Sequence, residues 1–447
     1  MSLGNLGLPF LSKIHKEVCL MITIDYSKEP RRDILCIDVK SFFASVEAVK
    51  RGMHPLTAYI VVMSKPEENG GLVLAASPRV KREYGIKTGS RRFEIPKRSP
   101  IQIVEPRMGL YLKVNGLINE VYKEFVAESD LHIYSIDESF LDVSFSHALH
   151  GTAMEIAEKI QRKIWDRFRL VVAIGIGDNP LLAKLALDTK AKDFSPYITE
   201  WRYEDVPHTV WKISPITDMW GIGNRTAKNL YRLGIESVYG LSQYNVKSLK
   251  RIHGVIGEQL FYHAHGVDHS VLSEKYIPLS NSYGKSQILD RDYTATYEIE
   301  VVIREMADQV AARLRKYHAE TGMVHLTVGF SRDILEKGFS HQTTIYPTAA
   351  SKKIIDTCLY LFRTHYRNQP VRTLAIQCGK IQFKSHLQLS LFENPEKTLQ
   401  QEQLELTIDR IRNKYGYTSL IHASSLTPGG TAIRRSHLIS GHQGWYE

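Results

Sequence analysis

Ile34-Leu-Cys-Ile-Asp-Val-Lys-Ser-Phe-Phe-Ala-Ser-Val-Glu47 and, further along, His132-Ile-Tyr-Ser-Ile-Asp-Glu-Ser-Phe-Leu-Asp-Val-Ser144 are the two stretches on which the reading of this chain turns. In the first, an unbroken apolar run predicts a buried strand that ends at Asp38, and Ser41 to Lys50 continues as a short helix closed by Gly52. The second reads as two strands meeting at the acidic bend Asp137-Glu138. A carboxylate at the end of a buried strand is costly unless it is paired or holds a metal. Adjacent carboxylates repel, so the bend also calls for a cation.

Asp38, Asp137 and Glu138 offer hard oxygen ligands, the donor type that suits Mg²⁺, which keeps waters and shares its shell with substrate phosphates. Two such ions ~4 Å apart would activate an attacking hydroxyl and neutralise a leaving pyrophosphate.

Outward from these stretches, Tyr59 to Met63 predicts a second strand leading into a Gly70-Gly71 turn. The chain from there to about Pro100 is basic, with Arg79, Lys81, Arg82, Lys87, Arg91 and Arg92. Ile156, Ile160, Ile164 and Phe168 recur at helical spacing, and Leu170 to Ile176 is a further apolar strand. Asn179-Pro180 then supplies an N-cap and first-turn proline for a helix to about Lys190. This alternation predicts an α+β sheet with helices on one face. From 207 to 267 short helices are broken by glycine, including Trp220-Gly-Ile-Gly-Asn-Arg225, and 268–282 reads as a linker. A β-α-β-β-α-β order follows over 283–385, then a tail, 386–447, with a Gln-rich helix near 397–414 and an uninterpreted Gly/Ser/His-rich end.

The 447 residues are enough for about three domains. Apolar residues at 43% and charged residues at 24% exclude a disordered chain, and 58 Lys plus Arg against 48 Asp plus Glu give a net charge of +10, which favours a polyanionic partner. Cys19, Cys36, Cys358 and Cys378 lack CxxC spacing, so neither a zinc site nor a disulfide framework is expected. With no apolar run of ~18 residues and no leader pattern, a cytoplasmic location without membrane contact is expected, and residues 1–30 read as an N-terminal extension.

Asp38-Val-Lys-Ser-Phe-Phe-Ala-Ser-Val-Glu47 and Ser135-Ile-Asp-Glu-Ser-Phe-Leu-Asp142 resemble the two signature palm motifs of the Y-family (translesion) DNA polymerases, in particular the bacterial UmuC-like branch. The resemblance runs from about residue 33 to 385 and implies a right-hand multidomain architecture. The palm would be 31–51 and 111–206, the fingers 52–110, a helix-hairpin-helix thumb 207–267 and a little finger 283–385. It implies Asp38, Asp137, Glu138 and the carbonyl of Val39 as ligands of two Mg²⁺ ions, with Lys40 a departure at a position that is not a ligand.

Phe43 takes the place of the steric gate under the incoming sugar, with Phe42 beside it. Arg82 matches the family's triphosphate-binding cation, Arg79 stands where many members have tyrosine, and a further lysine is Lys192, with Lys190 as the alternative. Gly221, Gly223, Asn224, Arg225 and Lys228 would meet DNA from the thumb. Lys285, Arg291, Arg332, His341, Arg367 and Arg372 would meet the DNA backbone from the little finger. Gln388, Leu389, Leu391 and Phe392 lie in a segment resembling the peptide by which bacterial polymerases dock on the sliding clamp.

The expected activity is low-fidelity, template-directed addition of deoxynucleotides to primer–template DNA during lesion bypass, with accessory repair proteins as further partners. Two rivals differ in chemistry. Another palm-type nucleotidyl enzyme, such as a cyclase, would not need a thumb hairpin, a basic C-terminal domain or a clamp peptide. A catalytically silent, clamp-recruited accessory protein would not need three intact carboxylates and Phe43.

Overall fold

The computed structural model describes residues 24–444 apart from 69, 275, 276, 279, 384–393 and 440, so Gln388 to Phe392 lie outside the described residues. The chain divides between Lys275 and Tyr276 into two compact units.

The first unit begins β1 (Ile34–Val39), α1 (Phe42–Lys50), β2 (Ile60–Ser64), β3 (Leu72–Ala76), α2 (Pro78–Tyr84), β4 (Gln102–Val104) and α3 (Met108–Tyr122). It continues with β5 (Leu131–Ile133), β6 (Glu138–Asp142), α4 (His147–His150), α5 (Ala153–Phe168), β7 (Val172–Gly177) and α6 (Pro180–Ala186). A π-helical turn (Leu187–Ala191) extends α6 before β8 (Ile198–Trp201), and α7 (Asn224–Arg232), α8 (Val238–Ser242), α9 (Val246–His253) and α10 (Val255–Ala264) complete the unit.

Its main sheet has the order β5-β6-β1-β7-β8, with the apolar β1 central and antiparallel to both neighbours. Every residue of β7 is buried, so helices cover both faces rather than the single face expected from the sequence. α6 lies over the face that carries Cys36 and Gly175. A Cβ at Gly175 would come within 2.0 Å of the Ala183 carbonyl, so only glycine lets the helix sit this close. On the opposite face Ser139, paired with Ile37, meets Asn119 of α3, and α3 packs with α5.

The N-terminal caps follow the sequence signals. Asn179 accepts from Leu182 N–H at 2.9 Å, and Thr152 forms a capping box with Glu155. A smaller sheet, β3-β2-β4, packs Val61, Met63 and Val73 against Val80 of α2. The four last helices share a core with α6, in which Leu181, Leu182 and Leu185 join Leu230, Leu260 and Phe261.

The second unit contains β9 (Tyr283–Tyr293), α11 (Thr296–Lys316), β10 (Ala319–Phe330), β11 (Gly338–Thr348), α12 (Ser351–His365) and β12 (Val371–Phe383). These realise the expected β-α-β-β-α-β order as an antiparallel sheet, β11-β10-β12-β9. α13 (Pro395–Tyr415), α14 (Ala432–Ser436), β13 (Leu438–Ile439) and β14 (His442–Gln443) follow, and they belong to this unit rather than to a free tail.

What fixes them is buried charge. Arg315 of α11 bonds Glu405 at 3.0 Å and Asp409 at 2.6 Å, Arg412 bonds Asp308 at 2.8 Å, and Arg435 bonds Glu305 at 3.0 Å. Removing one partner of such a pair strands the other charge in the interior, at a cost of about 3–5 kcal/mol.

Candidate active site

β1 and β6 place Asp38 directly opposite Glu138, and the Asp137 carbonyl accepts from Val39 N–H at 2.9 Å. The three sequence-predicted carboxylates therefore share one end of one strand pair. The Asp137 carboxylate is oriented by Ser135, whose hydroxyl donates to it at 2.6 Å. Burial pushes the Asp38 carboxyl up to about 6; Lys192 pulls against that rise, and Asp137 and Glu138 add to it. Ionised Asp38 thus sits in a place that favours a nearby cation.

Two lysines from α6 and its extension meet this cluster. Lys184, almost fully buried, places Nζ 2.7 Å from Glu138 Oε1 and 2.9 Å from Asp188. Cys36 Sγ donates to the same Glu138 oxygen at 3.1 Å. Lys192 lies 3.0 Å from Asp38 and 2.9 Å from Asp188. The sequence left Lys190 and Lys192 as alternatives; the structure brings Lys192 to the carboxylates and leaves Lys190 exposed. The widened π turn sets this register, since one extra residue per turn rotates the following side chain. Lys40, the departure from the family pattern, donates to the Lys192 carbonyl and lies 4.1 Å over the Tyr197 ring, anchoring the end of that turn.

Among the described residues no three acidic, histidine or cysteine side chains converge closely enough to cage a metal by themselves. The donor set still fits Mg²⁺: an open cluster of hard oxygens on one bend leaves coordination positions for water and phosphate.

Phe42 is buried, whereas Phe43 is half-exposed and stacks on Tyr111 with ring centroids 4.4 Å apart. Tyr111 is held by Glu47, which accepts its hydroxyl at 2.8 Å and is itself ion-paired with Arg107 at 2.7 Å. Burial raises the Glu47 carboxyl, but Arg107, Arg51 and Tyr111 outweigh it and hold the group below its ordinary value. The sequence reading missed this support for Phe43, because Glu47 and Arg107 are brought together only by the fold. Ser41, at φ 50°, makes the left-handed entry into α1, and the Phe42 and Phe43 rings, 5.7 Å apart, both pack on Tyr111.

α2 carries the two arginines expected at the phosphates. Arg82 is 71% exposed at its side chain and lies 3.9 Å from Glu83, and Arg79 is tied to Glu83 at 2.9 Å over the Tyr59 ring. Their neighbour Lys81 faces the acidic cluster. Partial burial pushes its ammonium down, Asp38 and Asp137 pull it up, and Lys192 pushes it down.

The pattern of the impB/mucB/samB family matches residues 37–188, its HHH motif 203–235 and its C-terminal domain 280–391. UvrX of Bacillus subtilis (strain 168), a protein named for UV-damage repair, is 43% identical over 421 residues, covering 94% of this chain and 100% of the relative. The protein named DNA polymerase IV 2 of the same strain is 33% identical over 417 residues, covering 92% of this chain and 98% of the relative. The chain belongs to the impB/mucB/samB family of Y-family DNA polymerases. A solved Y-family DNA polymerase chimera, Dbh-Dpo4(243-245)-Dbh, shares the fold with a TM-score of 0.62 at 20% identity, covering 79% of this chain and 100% of that one.

The family's HHH segment carries Gly221 at φ +92°, which requires glycine, and Gly223 as the N-cap of α7. Gly221, Gly223, Asn224, Arg225 and Lys228 are exposed while Ile222 is buried, so the turn is anchored by one side chain and presents its backbone outward.

In the C-terminal domain, Arg332 is exposed and Arg372 lies 3.6 Å from Asp292. Arg291 is paired with Glu298 at 2.6 Å, and Arg367 bonds backbone carbonyls of its own turn. Two residues leave the expected DNA-facing set. Lys285 pairs with buried Ile376 and turns into the helical layer to donate to Gln309, and His341 stacks on His365 of α12 at 3.6 Å. A strand side chain one position out of phase points to the other face, and both fall on the helix-covered one.

Proposed function

We propose that this chain is a template-directed DNA polymerase of low fidelity, adding deoxynucleotides to a primer 3′ end across damaged template. Membership of the family implies a divalent metal, primer–template DNA and deoxynucleoside triphosphates. The observation that carries the reading is the β1–β6 register, which puts Asp38 opposite Glu138 with Asp137 at the bend between them. Asp38, Asp137, Glu138 and the Val39 carbonyl would hold two Mg²⁺ ions. Bound there, the ions supply nucleophile activation and neutralisation of the leaving pyrophosphate.

The chain's own groups do the rest. Lys192 and Lys81 lie where a triphosphate would approach the carboxylates and draw it in by charge, with Arg82 and Arg79 as more distant contacts on α2. Lys184 and Cys36 occupy one oxygen of Glu138, which leaves the other to face the metal. Phe43, backed by Tyr111, forms a flat wall under the sugar that excludes a 2′-hydroxyl. Backbone N–H groups around Gly221 and Gly223, with Arg225, take a DNA phosphate without reading sequence. Arg332 and Arg372 of the second unit take DNA phosphates of their own, and Gln388, Leu389, Leu391 and Phe392 dock on the sliding clamp.

Primer extension on undamaged and abasic templates tests the reading. Asp137→Ala and Glu138→Ala should each lower the extension rate by on the order of 10³ or more while duplex affinity stays within about twofold. Near-normal extension by both variants would overturn it.

A further inference from the structure

The matched family pattern ends at residue 391, so membership leaves the work of α13 unassigned. Between α11 and α13 lies an open cleft of about 500 Å³. Five of its lining side chains are arginine or lysine, against Asp409 as the single carboxylate. Two of the five are committed: Arg315 to Glu405 and Asp409, Arg412 to Asp308. Arg313, Lys316 and Arg410 stand exposed, and among the described residues none of the three is in an ion pair. Cations in the last turn of α11 complement its C-terminal dipole, but Arg410 precedes the last turn of α13 and has no such role.

The wall behind the cleft is also cation-rich. Arg435 is buried, spends one nitrogen on Glu305, and has no partner at Nε or Nη1. Lys285 donates to Gln309, a lining residue, and its ammonium is pushed down to about 8 by burial first and then by Arg435 and Arg313. Tyr317 lines the same cleft, half exposed, with its ring held by stacking on Tyr283 at 5.5 Å.

We propose that this cleft binds single-stranded nucleic acid, with successive phosphates on Arg313, Lys316 and Arg410 and an unstacked base against Tyr317. Guanidinium and ammonium groups free of ion pairs, interleaved with an exposed aromatic ring, are the means by which proteins hold single strands without reading sequence. An acidic peptide would satisfy the cations and leave Tyr317 without a role. The inference goes beyond the polymerase reading and does not depend on it.

The test is fluorescence anisotropy of a labelled oligo-dT of about a dozen nucleotides on the full chain, with unlabelled hairpin primer–template saturating the duplex site. The triple variant Arg313→Ala/Lys316→Ala/Arg410→Ala should bind the oligonucleotide at least tenfold more weakly and flatten the log–log salt slope by about 2. Tyr317→Ala should weaken it about fivefold or more at constant slope. Hairpin affinity and matched-primer extension should not change in either variant. Arg410→Glu, a single exposed change, repeats the charge test should the triple variant melt early. Unchanged oligonucleotide binding overturns the proposal, and so does an equal loss of hairpin affinity, which would make the cleft part of the duplex footprint. A poly-glutamate peptide that displaces the oligonucleotide at equal charge, with Tyr317→Ala silent, would also overturn it in favour of an acidic protein partner. Extension by the wild-type chain in the same series reports on the polymerase reading separately.

Discussion

Phe43 owes its orientation to a chain of contacts that runs from its ring to Tyr111, to Glu47 and to Arg107. Because the ring is half-exposed, trimming it should leave the fold intact and remove only the wall under the sugar. Phe43→Ala should therefore raise ribonucleotide incorporation relative to deoxynucleotide incorporation by at least about tenfold, measured as a ratio of kcat/KM values, with deoxynucleotide extension persisting. An unchanged ratio would make Phe43 a packing residue. The carboxylates were legible at this scale because an acid at the end of an apolar strand is too costly to keep there without a cation beside it. The cations were less so. Lys190 lies inside the π turn and Lys192 just past it, a register that sequence periodicity does not announce, and the phase of the seven-residue α2 cannot be read to one position, so Lys81 was not singled out from its basic neighbours.

Elements with apolar periodicity were read correctly in kind, and they misled only where both faces of a strand are covered. β7 is buried throughout, and a continuous apolar run does not say which helix lies on which side. β9 shows the opposite failure. Its mixed polar sequence hid the fact that Lys285 points under α11. That placement has a pH signature.

Lys285 titrates near 10.5 when unfolded and at about 8 in the fold. Below pH 8 both states are protonated and the folded state bears the full cost of a desolvated ammonium. Between about 8 and 10.5 the unfolded chain holds more protons, so stability rises with pH. Lys285→Met should accordingly stabilise the second unit at pH 7 by about 1–2 kcal/mol once partial solvent screening is allowed for, a rise of a few degrees in melting temperature. The gain should shrink through that pH window, and duplex affinity should not fall. Melting curves at pH 7 and 9.5 decide it, and a destabilised variant at pH 7 would show that the bond to Gln309 outweighs the burial cost.

At the scale of the whole molecule, the segment after β12 was the part least legible. Amphipathic helices announce themselves by an apolar stripe, but the buried residues of α13 are Glu405 and Arg412, so its inward face reads as polar sequence. Charge complementarity with Arg315 and Asp308, on a helix far back in the chain, is invisible until both are placed. This changes the setting of the proposed clamp peptide, Gln388 to Phe392. It lies between β12 and α13, both parts of the second unit, rather than at the start of a free tail.

Each flank is secured by its own contacts: β12 by its pairing with β10 and β9, α13 by the ion pairs to α11. Replacing Leu391 and Phe392 with Ala should therefore leave the melting temperature and clamp-free extension on a short primer unchanged. It should weaken clamp binding at least about tenfold, because a few apolar anchors carry most of the affinity of such short peptides. Clamp-stimulated synthesis would fall by the same cause. Equal loss with and without clamp, together with a lowered melting temperature, would mean instead that the two side chains pack on their own unit.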